Sequence, residues 1–302
     1  MNINNKKMEK KLRLSMNLLI KNEADIISDN IRFHASQGVD SFVVMDNGST
    51  DGTFEIVEKL QKDYDIHLIH RPQLDYQQSN WKTEMAVISR KLLKADWSIA
   101  NDADEFWVTE NGTLKDNISR LGSVVHCPRI NMIPGENFHS PGFHYLDSPY
   151  QVNLPILNNS CNIINCPNLS IMLGKINGKV MVNNHGLLRV KGGNHRAWHL
   201  WGKINQTESH ITKVFHFPMR SKASFIQNIE NRAKLLDKGV SKMGDHYRRW
   251  VKLYNEGCIE EEIGRLTLND RDAQTLKKFG VITEGGNNLE VIKNTLKTHL
   301  NK

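Results

Sequence analysis

The sequence predicts an α/β protein wound on a parallel sheet, with a mainly helical C-terminal extension. Three observations predict it. Over the first hundred residues, short aliphatic or β-branched runs alternate with longer amphipathic stretches, as in strands joined by crossover helices. Three of these runs end in polar clusters, where an open parallel sheet gathers its ligands. From Ser221 onward, Ala, Leu, Lys, Glu and Arg recur at helical spacing.

Taken in order, strands are expected at Leu12–Ile20, Ser41–Met45, Ile66–His70 and Trp97–Ala100. Helices are expected at Ala24–Gln37, Thr53–Asp63 and Ser79–Lys94, the first closed by Gly38 and the third opened by Ser79 as N-cap. Beyond Asp104 the texture changes, with Pro, Gly and Asn frequent through Asn111–Asn168. The run Lys175-Ile176-Asn177-Gly178-Lys179-Val180 carries a hairpin signal, so this region reads as strands and loops that build an acceptor side. Gly239 and Gly285-Gly286 break the helical tail. The expected division is a domain at 1–220 and a helical extension at 221–302, with no internal repeat.

Composition narrows the class. In 302 residues, 39% hydrophobic and 24% charged, neither disorder nor a fibrous fold is indicated. The apolar stretch Leu14–Ile20 is far too short to cross a bilayer. Cys127, Cys161, Cys166 and Cys258 form no C-x-x-C pair, and a reducing cytoplasm is the simplest home. The net charge of +7 suits a nucleic acid, an anionic membrane or an anionic substrate. Lys and Arg are scattered apart from Lys6–Arg13 and Arg248-Arg249, and no aromatic-basic motif points to nucleic acid. The basic tail instead suggests peripheral contact with an anionic membrane surface.

The three polar clusters carry the chemistry. Asn22-Glu23 follows the first strand, and Asp46-Asn47-Gly48-Ser49-Thr50-Asp51-Gly52-Thr53 follows the second. The latter alone is a well-made turn, since it matches neither the phosphate-loop nor the dinucleotide fingerprint. Asn101-Asp102-Ala103-Asp104-Glu105 follows the fourth strand. Two carboxylates closing an apolar strand are costly unless they face solvent or a cation. A hard Mg²⁺ or Mn²⁺ ion takes one or two carboxylates and completes its shell with water and phosphate oxygens.

The runs LLIKNEADIISDNIRFHASQGVDSFVVMDNGSTDGT and QSNWKTEMAVISRKLLKADWSIANDADEFW resemble glycosyltransferase family 2. They cover the first third of the chain and are most like the bacterial branch acting on lipopolysaccharide or capsule. The resemblance implies a GT-A nucleotide-sugar fold with a DxD signature. It implies that Asn22 and Glu23 line the nucleotide pocket and that Asp46 hydrogen-bonds the base or ribose. Asp102 would face the ribose or metal, and Asp104 would coordinate the metal; Gln78 and Lys82 are further donor-pocket candidates. Gly193-Asn194-His195 and the run from Val214 to Ser221 resemble later segments of that branch. His216 would then be a late metal ligand, and Arg220 would bind a phosphate or an acceptor anion. His195 and His199 lack the glutamate of an H-E-x-x-H zinc site.

An inverting transfer also needs a carboxylate within reach of the acceptor hydroxyl. Between the metal motif and the tail the main acids are Asp116, Glu136, Asp147 and Glu208. Glu208, between the two histidine segments, is the expected base, with Glu136 second. The resulting reading is a transferase that uses Mn²⁺ or Mg²⁺ and a UDP-sugar donor with a glycan or glycolipid acceptor, working alone or as a homo-oligomer. Its rivals are a nucleotidyltransferase acting on a sugar phosphate and a non-catalytic binding module of the same fold.

Overall fold

The computed structural model describes residues 11–72, 78–156, 170–239 and 243–300. The side chain of Gln78, together with Cys161, Cys166 and Lys6–Lys10, lies outside the described residues.

The N-terminal elements follow the expected alternation. They run β1 (Leu14–Ile20), α1 (Ile27–Ser36), β2 (Ser41–Asp46), α2 (Thr53–Leu60), β3 (Ile66–His70), α3 (Gln78–Lys91) and β4 (Trp97–Asn101). β3, β2, β1 and β4 lie side by side and parallel, in that order. β1, β2 and β4 are buried almost throughout on both faces, as a sheet covered by helices requires. Gly38, at φ +92°, follows α1 in the left-handed conformation that ends helices. Ser79 is not the cap of α3. It lies within the helix and donates from its hydroxyl to the Val190 carbonyl, 2.7 Å away.

The middle of the chain forms β5 (Glu105–Thr109), β6 (Val124–Cys127), β7 (Arg129–Ile133), β8 (Tyr150–Val152), β9 (Lys179–Asn183), β10 (Leu187–Val190), β11 (Ala197–His199), β12 (Gln206–Glu208) and β13 (Thr212–His216). The expected Asn177-Gly178 hairpin is absent among the described residues. β9 instead inserts between β4 and β6, antiparallel to both, and extends the main sheet to the order β12-β6-β9-β4-β1-β2-β3. The physical reason is burial: all five residues of β9 are buried, so two neighbouring strands satisfy it better than one hairpin partner. β10 and β11 form the local antiparallel pair.

The tail is helical except for one short strand: α4 (Lys222–Asp237), α5 (Asp245–Asn255), α6 (Ile259–Leu266), α7 (Asp270–Lys278), β14 (Ile282–Glu284) and α8 (Gly286–Leu300). β14 completes a second sheet, ordered β14-β8-β7-β13-β5. Leu289, Ile292 and Leu296 of α8 join the same apolar core as β1, α1 and β5. Arg249 is not part of a basic surface. It is 2% exposed and pairs with the buried Glu262 at 2.7 Å, while Trp250 Nε1 donates to the other oxygen of that carboxylate. Among the described residues no helix is long and apolar enough to cross a membrane.

Candidate nucleotide and metal site

The carboxyl ends of β1, β2 and β4 face one cavity of about 900 Å³, roofed by α4 and the start of α5. The first two polar clusters are stitched to each other. Asn22 N–H donates to Ser49 Oγ, Thr50 N–H to Asn22 Oδ1, and Glu23 N–H to Thr53 Oγ1. Asn22 takes φ +56°, a left-handed conformation that asparagine tolerates better than most residues. This exposes the Asn22 and Glu23 side chains to the cavity.

The turn 102–104 is held rigidly from beneath. Asn30 Nδ2 donates to the Ala103 and Glu105 carbonyls at 2.8 and 2.9 Å, and Asn101 Nδ2 donates to the Glu105 carbonyl. Phe217 N–H donates to the Asp104 carbonyl, tying the turn to the segment after β13. Asp102 and Asp104 consequently point into the cavity from fixed backbone.

Their surroundings differ. Asp102 Oδ1 accepts from Lys82 Nζ at 3.1 Å, and Oδ2 from Lys179 Nζ at 2.7 Å; both ammonium groups belong to fully buried lysines. Lys179 also pairs with Glu105 Oε1, the same oxygen that accepts from Arg129 at 2.9 Å. Burial works against the Asp102 charge, but the two lysines outweigh it and hold the carboxyl well below the usual range. Asp104 faces His216, with Oδ2 3.4 Å from Nε2. Asn131 Nδ2 donates to the Met172 carbonyl, so its Oδ1 faces His216 Nδ1 at 2.8 Å. That nitrogen must therefore carry the hydrogen, which leaves Nε2 turned toward Asp104. Burial opposes the Asp104 charge too, yet an imidazolium at His216 lowers its pKa, so a cation would take the Nε2 lone pair in exchange for that proton.

This donor set suits one kind of ion. Asp104 with an Nε2 lone pair, oriented from behind by Asn131, fits a hard divalent cation that draws most of its shell from water and phosphate. It does not fit a protein-caged metal, since no group of three or more His, Cys, Asp or Glu able to hold a metal occurs among the described residues. Asp102 lines the same cavity with one lysine on each of its carboxylate oxygens.

Arg220, 9% exposed, sits between Glu23 and Asp25 and pairs with both. Burial pushes the Glu23 carboxyl up, against the pull of Arg220, to about 7. Asp46 is fully buried and spends its carboxylate on the Gly48 and Ser49 N–H groups, holding the turn rather than facing the cavity. Lys82 lies beneath Asp102, outside the lining. The two expected bases are elsewhere. Glu208 is exposed on β12, the outer strand of the main sheet, and Glu136 accepts from Asp270 N–H at the surface. Neither lines the cavity, because sheet order rather than sequence position decides what reaches it.

Sequence reasoning missed Lys179, Arg129, Asn131 and Asp25 as neighbours of the site, and it placed Glu105 in the third cluster without a role. Lys179 and Glu105 left a signal, since each is a charged residue opening an otherwise apolar strand. Asn131 left none.

Residues 18–141 match the family described as Glycosyl transferase family 2. No curated protein sequence matches the chain. Among solved structures, S. aureus TarS 1-349 in complex with UDP is 15% identical over 57% of this chain and 47% of that chain, with a TM-score of 0.35. The chain therefore spans about half the length of that relative. The same protein in complex with UDP-GlcNAc gives 13% identity over 84% and 72%, at 0.39. Glucosyl-3-phosphoglycerate synthase from Mycobacterium tuberculosis, in complex with Mn²⁺, UDP and phosphoglyceric acid, gives 16% over 65% and 68%, at 0.35.

Proposed function

We propose, from the match of residues 18–141 to glycosyl transferase family 2, a metal-dependent, inverting transfer of a hexosyl or N-acetylhexosaminyl group. The donor is a UDP-sugar and the acceptor a glycan or glycolipid of a bacterial surface polysaccharide, handled at the inner face of the cytoplasmic membrane. One observation carries the reading: the clusters after β1 and β4 meet in a single cavity with Asp104 beside an oriented His216.

Asn22 and Glu23 line the nucleoside end, where Arg220 keeps the Glu23 carboxylate oriented. Asp104 and His216 would hold Mg²⁺ or Mn²⁺, which supplies neutralisation of the leaving diphosphate. Lys82 and Lys179 fix Asp102 so that it presents one rigid edge to the ribose. For the base we place Asp245, at the start of α5, instead of Glu208 or Glu136. The cavity-lining carboxylates among the described residues are Glu23, Asp102, Asp104 and Asp245, and only Asp245 has no Lys, Arg or His partner among them. A carboxylate held in no ion pair can turn to hydrogen-bond an acceptor hydroxyl. Residues 221–302 serve as a helical extension that roofs the cavity and supplies this base.

A screen of nucleotide sugars for slow Mn²⁺-dependent hydrolysis, read as nucleoside diphosphate release, tests the proposal. Hydrolysis of one UDP-sugar is expected, with Asp104→Ala abolishing the Mn²⁺ dependence of donor binding in calorimetry. Unchanged affinity with and without Mn²⁺ in both proteins would remove the metal assignment. Formation of a nucleotide sugar from a sugar 1-phosphate would make the enzyme a nucleotidyltransferase.

A further inference from the structure

The hairpin of β10 and β11, with the turn that follows it, has a surface unlike that of the other described residues. Twelve large apolar side chains are exposed among the described residues. Five of them, Leu188, Trp198, Leu200, Trp201 and Ile204, fall between positions 188 and 204, at 39 to 69% exposure. Single exposed apolar residues are ordinary, but a concentrated group marks a surface with a partner. From 185 to 207 the chain contains no Asp or Glu, while Arg189, Lys191, Arg196 and Lys203 are all exposed.

The turn is built to present these groups. Leu200 N–H donates to the Gly186 carbonyl, Gly202 N–H to His199 and Ile204 N–H to Trp201, at 2.8 to 3.0 Å. His199, 4% exposed, accepts from Trp201 N–H through Nδ1 and packs its ring against that indole. The Arg189 guanidinium lies 5.9 Å from the centre of the Trp198 ring. Leu200, Trp201 and Ile204 thus stand out from a hydrogen-bonded frame.

We propose that this segment docks the protein on an anionic phospholipid surface. Two indoles suit the headgroup layer, Leu and Ile side chains suit the acyl boundary beneath it, and four cations suit anionic headgroups. The absence of carboxylates over the same stretch removes the repulsion that would oppose contact. Lipid also accounts for both halves of the pattern at once, since one continuous phase offers an apolar interior and a negative face. The expected anchor at Arg248-Arg249 is no longer needed, because Arg249 is committed to Glu262.

Gly192, Gly193 and His195, at the connection between β10 and β11, line the cavity. The docking segment is therefore continuous with the cavity wall, and a lipid-borne acceptor would enter from the surface the hairpin touches. That consequence rests on the transferase reading; the docking itself does not.

The test uses the full chain with phosphatidylcholine vesicles, with and without phosphatidylglycerol, read by sedimentation and by quenching of tryptophan emission with brominated lipid. Wild-type protein is expected to bind the anionic vesicles, with quenching, and neutral vesicles at least tenfold more weakly. Leu200→Ser with Ile204→Ser should weaken binding at least tenfold at every salt concentration. Lys191→Glu with Lys203→Glu should weaken it chiefly at low salt, where charge attraction is least screened. Circular dichroism and UDP-sugar hydrolysis should not change in either pair. Absence of binding and quenching in the wild type overturns the proposal, as does equal binding by the variants. So does a lipid-free dimer that the apolar pair abolishes, since the patch would then join two copies of this chain. Loss of hydrolysis in the wild type would sink the transferase reading and leave docking standing.

Discussion

Asp102 and Asp104 are two residues apart and do different work. Asp102 is the counter-charge of two fully buried lysines, whereas Asp104 faces one histidine and the open cavity. Removing one partner of a buried ion pair leaves a charge that cannot be rehydrated. Asp102→Asn should therefore destabilise the fold by about 3 kcal/mol, seen as a lower denaturant midpoint, while Asp104→Asn should leave the midpoint nearly unchanged. Equal midpoints would mean that the lysines find other partners. A second residue sets the acid response. His34 is fully buried, accepts Trp107 N–H at Nε2, and is pushed by burial to about 3 from its ordinary 6.5. The unfolded chain thus takes up this proton before the folded one, so the His34 contribution is complete above pH 6.5 and is lost as pH falls toward 3. Burial also lowers His195 and His246, each to about 4, so they act in the same direction. Denaturation from pH 7 to 4 should show stability falling steadily, with a shallower fall in His34→Leu.

The elements differ in how legible they were. β1, α1, β2, α2, β3 and β4 could be placed within a few residues, because the contrast between short aliphatic or β-branched runs and longer period-3.6 stretches is written locally. The polar clusters could be placed for the same reason, since each is continuous in sequence and sits at a strand end. β9 could not, because nothing within ten residues of Lys179 says that β4 and β6 will flank it. The position of Glu208 was hidden for the same reason: it lies near His216 in sequence but on the outer strand of the main sheet, away from the cavity lining. The insertion of β9 has a testable tight point. A Cβ on Gly178 would run into the Cys127 carbonyl at the start of the β6 and β9 pairing. His195 Nδ1 also hydrogen-bonds the Gly178 carbonyl at 2.7 Å. Gly178→Ala should cost about 1–3 kcal/mol and displace Lys179 from Asp102. Differential scanning calorimetry measures the first, and loss of UDP affinity the second. An unperturbed variant would show that the loop before β9 can yield.

At the scale of the molecule, the tail returns to where the chain began. Ile292 of α8 is fully buried in the core that β1 and α1 also build. Ile292→Ala should therefore lower the stability of the sheet region itself by about 2–5 kcal/mol, read through the emission of buried tryptophans such as Trp97 and Trp107. A separate early transition for the tail, with the sheet unaffected, would be the contrary result. Arg220 closes the chain in a similar way, since its partner Glu23 lies 197 positions earlier. On a ribosome, which releases the N-terminal half first at roughly 5–20 residues per second, Glu23 and Asp25 wait roughly 10–40 s for their cation. For that interval Glu23 and Asp25 lack the guanidinium they share in the folded chain. The corner of the cavity that Glu23 lines is therefore completed only when Arg220 has been made.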